Sequence, residues 1–175
     1  MILMLLAVAP ASPPRLLPDR FESMVEAPWG RATKRTLYGL CFAQTTRIGR
    51  VVAQESFLQE FTRESGEVYS KRPYTRVTLE TEAELRGEPG QSFQLIVEGG
   101  TINRIDFPVP PEFGNTEVGA KYLVGYNPIV SPKHVHHPWP QGSPVVAAVV
   151  FLRKELDLDR AGFDALCESV DFTTP

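Results

Sequence analysis

"YTRVTLETEAELRG", residues 74–87, alternates between two kinds of residue over most of its length. One set is apolar or small (Val77, Leu79, Thr81, Ala83 and Leu85) and the other is polar (Arg76, Thr78, Glu80, Glu82 and Glu84). A period of two over this many residues predicts a β-strand with one buried face and one face in water. The glutamates on the wet face are typical of a solvated strand surface that resists edge-to-edge aggregation.

A turn and a second strand complete a hairpin with this stretch. "RGEPGQ", residues 86–91, carries the glycines and the proline of a turn. "QSFQLIVEGG", residues 91–100, then places Phe93, Leu95 and Val97 on one face and ends or bulges at its glycine pair. The apolar side of this hairpin is predicted to form the wall of a small core.

The rest of the chain supplies further strands and two helices. Strands are predicted at residues 47–61, 120–126 and 143–156, and helices at residues 34–44 and 159–170. The second helix is amphipathic, and Asp157 or Asp159 is expected to cap it. About five strands with a short N-terminal helix and a C-terminal helix predict a mainly β fold, either a small antiparallel barrel or a curled sheet.

The amino terminus predicts export. Residues 2–8 form a short apolar run, and Ala9 and Ala11 stand at −3 and −1 of a cut before Ser12. This pattern resembles a secretory signal peptide, although no Lys or Arg precedes the apolar run; the alternative is a disordered tail. We therefore expect a signal peptide at 1–11, a Pro-rich linker at 12–33, a β domain at 34–172 and a secreted or periplasmic protein.

Composition and charge argue against two classes of partner. The net charge is −3, with 42% hydrophobic and 22% charged residues, as in ordinary globular domains. Nucleic acids and anionic lipids attract basic surfaces, and no apolar run reaches the roughly 18 residues that span a bilayer. The basic cluster around Arg72 and Tyr74 is followed on the same strand by a row of glutamates. We expect no nucleic-acid partner and no membrane span.

The two cysteines, Cys41 and Cys167, lie near the two ends of the predicted domain. In an exported protein they can pair, and a loop of that length constrains the unfolded chain by about 4 to 5 kcal/mol. The alternative is a pair of buried free thiols that pack as small apolar side chains. The sequence leaves both possibilities open.

The three histidines of the chain, His134, His136 and His137, stand together in "KHVHHPWPQG", residues 133–142. On an extended segment His134 and His136 point the same way and can share a divalent transition metal, while His137 points away. Because the prolines hold the segment extended and no further ligand lies within it, we predict a solvated loop and no resident cofactor. Trp139 in this segment either stacks on a sugar or partner peptide or plugs one end of the barrel.

Three motifs resemble a domain found in uncharacterised secreted bacterial proteins. They are "RIGRVV" at 47–52, the hairpin at 74–100 and "VGAKYLVGY" at 118–126, and the resemblance covers residues 36–155. Those proteins look like OB-fold barrels related in shape to the netrin-like domains of the tissue inhibitors of metalloproteinases. The resemblance implies an OB-like barrel. The inhibitors use an amino-terminal cysteine on a disulfide framework that this chain lacks, so no inhibitory residue is carried over.

The function predicted from these observations is non-enzymatic. The chain has no nucleophile elbow, zinc-protease helix, P-loop or dinucleotide fingerprint. We predict an exported binding module that recognises a protein or glycan through barrel loops, with Trp139, Tyr74 and Arg72 as contacts. The alternatives are a metal-binding protein that uses His134 and His136, and a netrin-like protease inhibitor.

Overall fold

The computed structural model describes residues 25–26, 34–109, 113, 117–127, 140 and 143–172. Its strands are β1 (Val25–Glu26), β2 (Thr45–Thr62), β3 (Val68–Arg86), β4 (Ser92–Glu98), β5 (Gly100–Ile102), β6 (Ile105–Phe107), β7 (Lys121–Asn127) and β8 (Val145–Leu152), and its helices are α1 (Lys34–Phe42) and α2 (Arg160–Ser169). The predicted signal peptide at 1–11 lies outside the described residues. Within the predicted linker, β1 pairs with the end of β8.

The fold is mainly β, as predicted. The main sheet is antiparallel in the order β1-β8-β7-β2-β3-β4, and β5 and β6 form a separate pair. Among the described strands no ladder joins β4 to β8 or β1, so the sheet is open and the prediction of a closed barrel is wrong. The sheet curls instead, and the rings of Phe93 on β4 and Tyr126 on β7 stack with their centroids 5.4 Å apart. Side-chain packing, rather than backbone hydrogen bonding, therefore holds β4 against β7 across the inside of the curl.

The curled sheet separates two apolar cores. The inner core lies on one face and contains Val51, Val77, Leu79, Phe93, Leu95, Val97, Phe113, Tyr122, Val124, Tyr126 and Val149. The helix core lies under α1 and α2 and contains Leu37, Leu40, Cys41, Ile48, Leu85, Leu123, Val150, Leu152, Leu156, Leu158, Phe163 and Leu166. Neighbouring residues of β7 and β8 point to opposite cores, as the pleat of a strand requires.

A β-bulge at Glu82 interrupts the strand that the sequence predicts as regular. Ile48 pairs with Ala83 and Gly49 pairs with Thr81, which leaves Glu82 as an extra residue on β3. One extra residue reverses the alternation of side chains beyond it, because the period of a strand is two.

The reversal divides the apolar residues of β3 between the two cores. Val77 and Leu79, before the bulge, are buried in the inner core. Leu85 is buried in the helix core, and Ala83 packs against that core. The prediction of one buried face along the whole strand is therefore wrong, since the strand buries one face before the bulge and the other after it.

The carboxylate of Glu82 joins three elements at the bulge. It accepts a hydrogen bond from Arg50 Nε on β2 at 2.6 Å, and it lies 2.9 Å from Lys121 Nζ on β7. Lys121 also pairs with Glu155. Burial by itself raises the pKa of Glu82, but the hydrogen bonds from Lys121 and Arg50 outweigh it and hold the pKa below its ordinary value.

This depressed pKa predicts a loss of stability in acid. A carboxylate with a lowered folded-state pKa contributes stability above its unfolded pKa, about 4.3, and loses it as the pH falls through the folded value. We expect the Glu82→Gln variant to lose about 1 kcal/mol or less of unfolding free energy at pH 7. Its stability should then fall less than that of wild type between pH 5 and about pH 3. Urea unfolding across this range measures both.

Glu80 provides the matched control, because it lies on the same strand and its carboxylate has no ion-pair partner among the described residues. The Glu80→Gln variant should follow the acid dependence of the wild type. If Glu82→Gln and wild type lose stability in parallel below pH 5, Glu82 does not contribute through its ionised form.

The two helices cover the helix core as the sequence predicts. In α1, Leu37, Leu40 and Cys41 are buried. This helix lies very close to the sheet, since a Cβ added at Gly39 would stand 2.7 Å from the carbonyl oxygen of Ala147 on β8. Asp159, one of the two predicted caps, accepts a hydrogen bond from Gly162 N at 2.7 Å at the start of α2. Neither of these helices of the described ranges is long and apolar enough to cross a bilayer.

A disulfide joins the two helices. Cys41 on α1 and Cys167 on α2 are bonded, with their Cα atoms 5.6 Å apart and 126 positions apart in sequence. Of the two possibilities left open by the sequence, the pairing is confirmed. The bond links the beginning of the domain to its end, so it closes a loop that contains nearly the whole sheet.

Removal of this bond should destabilise the domain strongly. We expect the Cys41→Ala/Cys167→Ala variant to lose about 2–5 kcal/mol of unfolding free energy, because its unfolded chain is no longer constrained. Urea unfolding with and without dithiothreitol measures the effect. Reductant should lower the wild-type midpoint and leave the variant unchanged; a fully reduced wild type with an unaltered midpoint would contradict the prediction.

Candidate functional site: a projecting hairpin arm

The hairpin of β2 and β3 extends well past the rest of the main sheet. Ladder pairing of β2 with β7 ends at Arg50, and two further hydrogen bonds join Val51 to Gly119 and Ala120. On the other side, β3 pairs with β4 only from Tyr74 onward. Residues 53–73 therefore form a two-stranded projection, which we call the hairpin arm.

The tip of the hairpin arm is a tight turn that the sequence analysis missed. Arg63 N donates to the carbonyl of Glu67, and Gly66 N donates to the carbonyl of Arg63, each at 2.9 Å. Gly66 has φ +84°, which an L-residue rarely adopts. The Ser65-Gly66 dipeptide is a turn signal between two polar, charged segments, so the turn could have been found from the sequence.

Tyr74 and Arg72, predicted as loop contacts, both lie on β3 rather than in a loop. Tyr74 is fully buried. Burial, and next the charge of Glu98, raises the pKa of its phenol. Its ring centroid lies 6.1 Å from that of Phe57 and 6.3 Å from that of Phe61, both on β2. Tyr74 thus forms the floor of an aromatic cluster at the base of the arm.

Cross-strand ion pairs cover the outside of the arm. Arg76 lies 3.1 Å from the carboxylate of Glu55, and its guanidinium stands 5.1 Å above the ring of Phe57. Lys71 pairs with Glu60 further out, on the face of the arm that carries Ser56 and Thr75. Arg72 pairs with Glu98 on β4 at 3.1 Å and remains partly exposed. Charges of both signs therefore alternate along the arm around apolar side chains.

The face of the arm that carries Ser56 and Thr75 is fastened to the end of β4. The hydroxyls of Ser56 and Thr75 lie 2.9 Å apart, and Thr75 Oγ1 donates to the carbonyl of Gly99 at 2.8 Å. Gly99 N in turn donates to the carbonyl of Pro73 at 2.9 Å. Gly100 lies directly over the two hydroxyls, where a Cβ would overlap Thr75 Oγ1. These contacts set the direction in which the arm leaves the sheet.

Past this anchor, the arm leaves apolar side chains in water. Leu58 is 47% exposed and Tyr69 is 49% exposed, and Val68 beside the tip is also exposed. Leu58 lies opposite Pro73, and Tyr69 and Val68 stand four and five residues further along β3 toward the tip. Exposed apolar side chains along one projecting element are candidates for burial against a partner. The hairpin arm therefore combines a rigid base with a mixed apolar and charged outer part.

The remaining predicted contacts lie elsewhere. The predicted metal ligands His134, His136 and His137, and the predicted stacking residue Trp139, fall outside the described residues. Asp106 accepts a hydrogen bond from Thr101 Oγ1 at 2.7 Å in the small β5–β6 sheet. Among the residues that the structure describes, no three His, Cys, Asp or Glu side chains group as metal ligands.

A second exposed aromatic cluster lies beside the disulfide. Tyr38 and Phe42 on α1 have ring centroids 4.4 Å apart, and Phe172 packs edge-on against both. Phe42 is 61% exposed and Tyr38 is 52% exposed. The cluster resembles the outer part of the arm in apolar exposure, but it stands on a helix and has no strand edge.

Comparison of this chain with protein-family models and with curated proteins finds no match.

The anchor of the arm predicts unequal effects of two glycine substitutions. Gly100 (φ +119°) and Gly66 (φ +84°) both occupy conformations that strain an L-residue, but only at Gly100 would a Cβ meet other atoms. We expect Gly100→Ala to lower the unfolding free energy by about 1–3 kcal/mol more than Gly66→Ala.

Urea unfolding of the two variants compares them, and amide exchange locates the loosened segment. In Gly100→Ala the amides of the arm should exchange faster, whereas Gly66→Ala should affect only the tip. Equal losses of stability in the two variants would show that the contacts at Gly100 do not hold the arm.

Proposed function

We propose that this chain is an exported, non-enzymatic module that binds a protein partner through the hairpin arm. The observation that carries the proposal is the arm itself, which projects from the sheet on a fixed base with exposed Leu58 and Tyr69 among paired charges. Buried aromatic and aliphatic anchors surrounded by polar residues are the usual composition of protein interfaces.

Two features favour a protein over a glycan as the partner. The exposed apolar side chains of the arm are mostly aliphatic, as in protein contacts, whereas sugars stack on flat aromatic faces. The β2 edge of the arm also has backbone groups with no partner among the described residues, and an extended polypeptide can pair with such an edge. The glycan alternative rests on Trp139.

Export is supported by the cysteine chemistry. Stable disulfides such as Cys41–Cys167 form in oxidising compartments and are rare where thiols are kept reduced. The signal peptide at 1–11 provides the route in this proposal. A mass measurement of the secreted protein tests it, since cleavage before Ser12 removes eleven residues.

The relation to OB-fold, netrin-like domains is part of the proposal. The curled antiparallel sheet with a helix at each end of the domain supports it, while the open sheet departs from a closed OB barrel. Protease inhibition and metal binding at His134 and His136 stay as predictions from the sequence.

Site-specific crosslinking tests whether the arm is the contact surface. A photoreactive amino acid at position 58 should crosslink one secreted or surface protein of the source organism, and excess unlabelled module should abolish the crosslink. After that protein is purified, Leu58→Ser/Tyr69→Ser should weaken its binding about tenfold or more, because two exposed apolar anchors are lost.

The helix-side aromatic cluster provides the matched control. Tyr38→Ser/Phe42→Ser removes a similar exposed apolar area at the other candidate surface, and it should leave the affinity within about threefold of wild type. Circular dichroism and urea unfolding establish that both double variants fold. Loss of binding in the helix variant, with none in the arm variant, would place the contact surface on α1 and overturn the proposal.

A further inference from the structure

The orientation of backbone groups along the hairpin arm follows from one hydrogen bond. The carbonyl of Pro73 accepts from Gly99 N on the β4 side, so the backbone of Pro73 faces away from β2. Leu58 is the register partner of Pro73. In an antiparallel ladder, two opposite residues either exchange backbone hydrogen bonds or both direct their N–H and C=O groups away from each other. Leu58 and Pro73 are a pair of the second kind. The N–H and C=O of Leu58 therefore point outward, away from β3.

Alternation along β2 extends this result to its neighbours. Residues two apart share an orientation, so Ser56 and Glu60 also direct their backbone groups outward. The carbonyl of Glu60 accepts a hydrogen bond from the side-chain amide of Gln59 at 2.8 Å. For Ser56 and Leu58, no backbone partner on this side is found in the described part of the chain. These two residues present an open strand edge.

The two edges of the arm differ in their capacity to pair. On the β3 edge, Pro73 lacks an N–H and its carbonyl is already bonded to Gly99. Proline on an edge strand prevents further pairing. The β2 edge has no proline over its entire length, Thr45–Thr62. Only the β2 edge is thus suited to accept another strand.

The physics of hairpins also favours a third strand at this edge. A two-stranded hairpin is marginally stable in water, and three strands with apolar contacts are needed for independent stability. The outer arm has two strands and exposes Leu58. An added strand would cover this side chain and pair the open backbone groups.

We propose that the outer edge of β2, at residues 55–61, binds an extended peptide segment of the partner by strand addition. The inference rests on the proposed function and specifies its chemistry. Side chains of the added strand would lie beside Phe57 and Leu58 at the centre and beside Glu55 and Glu60 at the ends. Glu55 and Glu60 each pair with a cation of β3 through one carboxylate oxygen. The second oxygen of each can accept from a cation on the added strand, so the site selects a segment with two central apolar β-formers flanked by Lys or Arg.

A synthetic peptide with this pattern serves as the probe: Ac-Thr-Lys-Thr-Val-Val-Thr-Lys-Thr-amide. Titrated to millimolar concentration, it should shift the backbone amide resonances of Ser56 and Leu58 and slow their hydrogen exchange at least about fivefold. A peptide with Glu in place of both Lys should bind about tenfold more weakly, as should a peptide N-methylated at its four central residues.

Two substitutions at Leu58 separate backbone pairing from side-chain contact. Leu58→Pro removes an outward N–H without removing a hydrogen bond to β3, whereas Leu58→Thr removes the same apolar side chain and keeps the N–H. Strand addition predicts a loss of peptide affinity of about tenfold for the proline variant relative to the threonine variant. Equal affinities of the two variants would overturn it.

The remaining outcomes also decide the matter. Unchanged exchange at Ser56 and Leu58 in saturating peptide overturns strand addition, as does equal binding of the N-methylated peptide. If these amides become protected from exchange as the protein concentration rises in the absence of peptide, the edge pairs with a second copy of the chain. That result would overturn the proposal of a peptide ligand. The two proposals can also fail separately. If position 58 crosslinks specifically but Leu58→Pro and Leu58→Thr bind the partner equally well, the proposed function holds and strand addition is wrong.

Discussion

The antiparallel ladder between β2 and β3 runs from Thr46 paired with Arg86 to Thr62 paired with Val68, and every other element is placed by it. One end of the ladder carries β7 and β4 on its two sides, and the other end projects as the hairpin arm. Because a two-stranded ladder needs apolar cover, the inner part of the ladder is buried between two cores. The outer part, the hairpin arm, lies beyond both cores and leaves Leu58 and Tyr69 exposed.

The bulge at Glu82 allows β3 to contribute apolar side chains to both cores. Without an extra residue, Leu79 and Leu85 would face the same side of the sheet, and one of the cores would lose an apolar side chain. The carboxylate of the bulged residue is held by Arg50 and Lys121, so the irregularity also ties β3 to β2 and β7. The disulfide connects segments that are further apart in sequence, because it joins the helices at the two ends of the domain.

The elements of the fold were predictable from local patterns. Alternation identified the strands of the main hairpin, and helical spacing identified the two helices, in which Leu37 and Phe163 are buried. Closure of the sheet was not predictable, because it depends on how β4 meets the far strands. The aromatic stack of Phe93 on Tyr126 fills that space with side chains. The sequence predicts loop contacts at Arg72 and Tyr74 where the structure has strand β3, because the turn at Gly66 is the only local signal of the hairpin arm.

The sequence by itself determined the mainly β class, the two helices, the two candidate caps Asp157 and Asp159, and the candidates for the disulfide, because each depends on residues close in the chain or on residue type. Only the tertiary structure decided that the cysteines meet, that β3 changes faces at Glu82, and that Tyr74 is buried rather than exposed. These outcomes depend on register between distant strands. A one-residue shift in register reverses which side of a strand is covered, and no local pattern reports it.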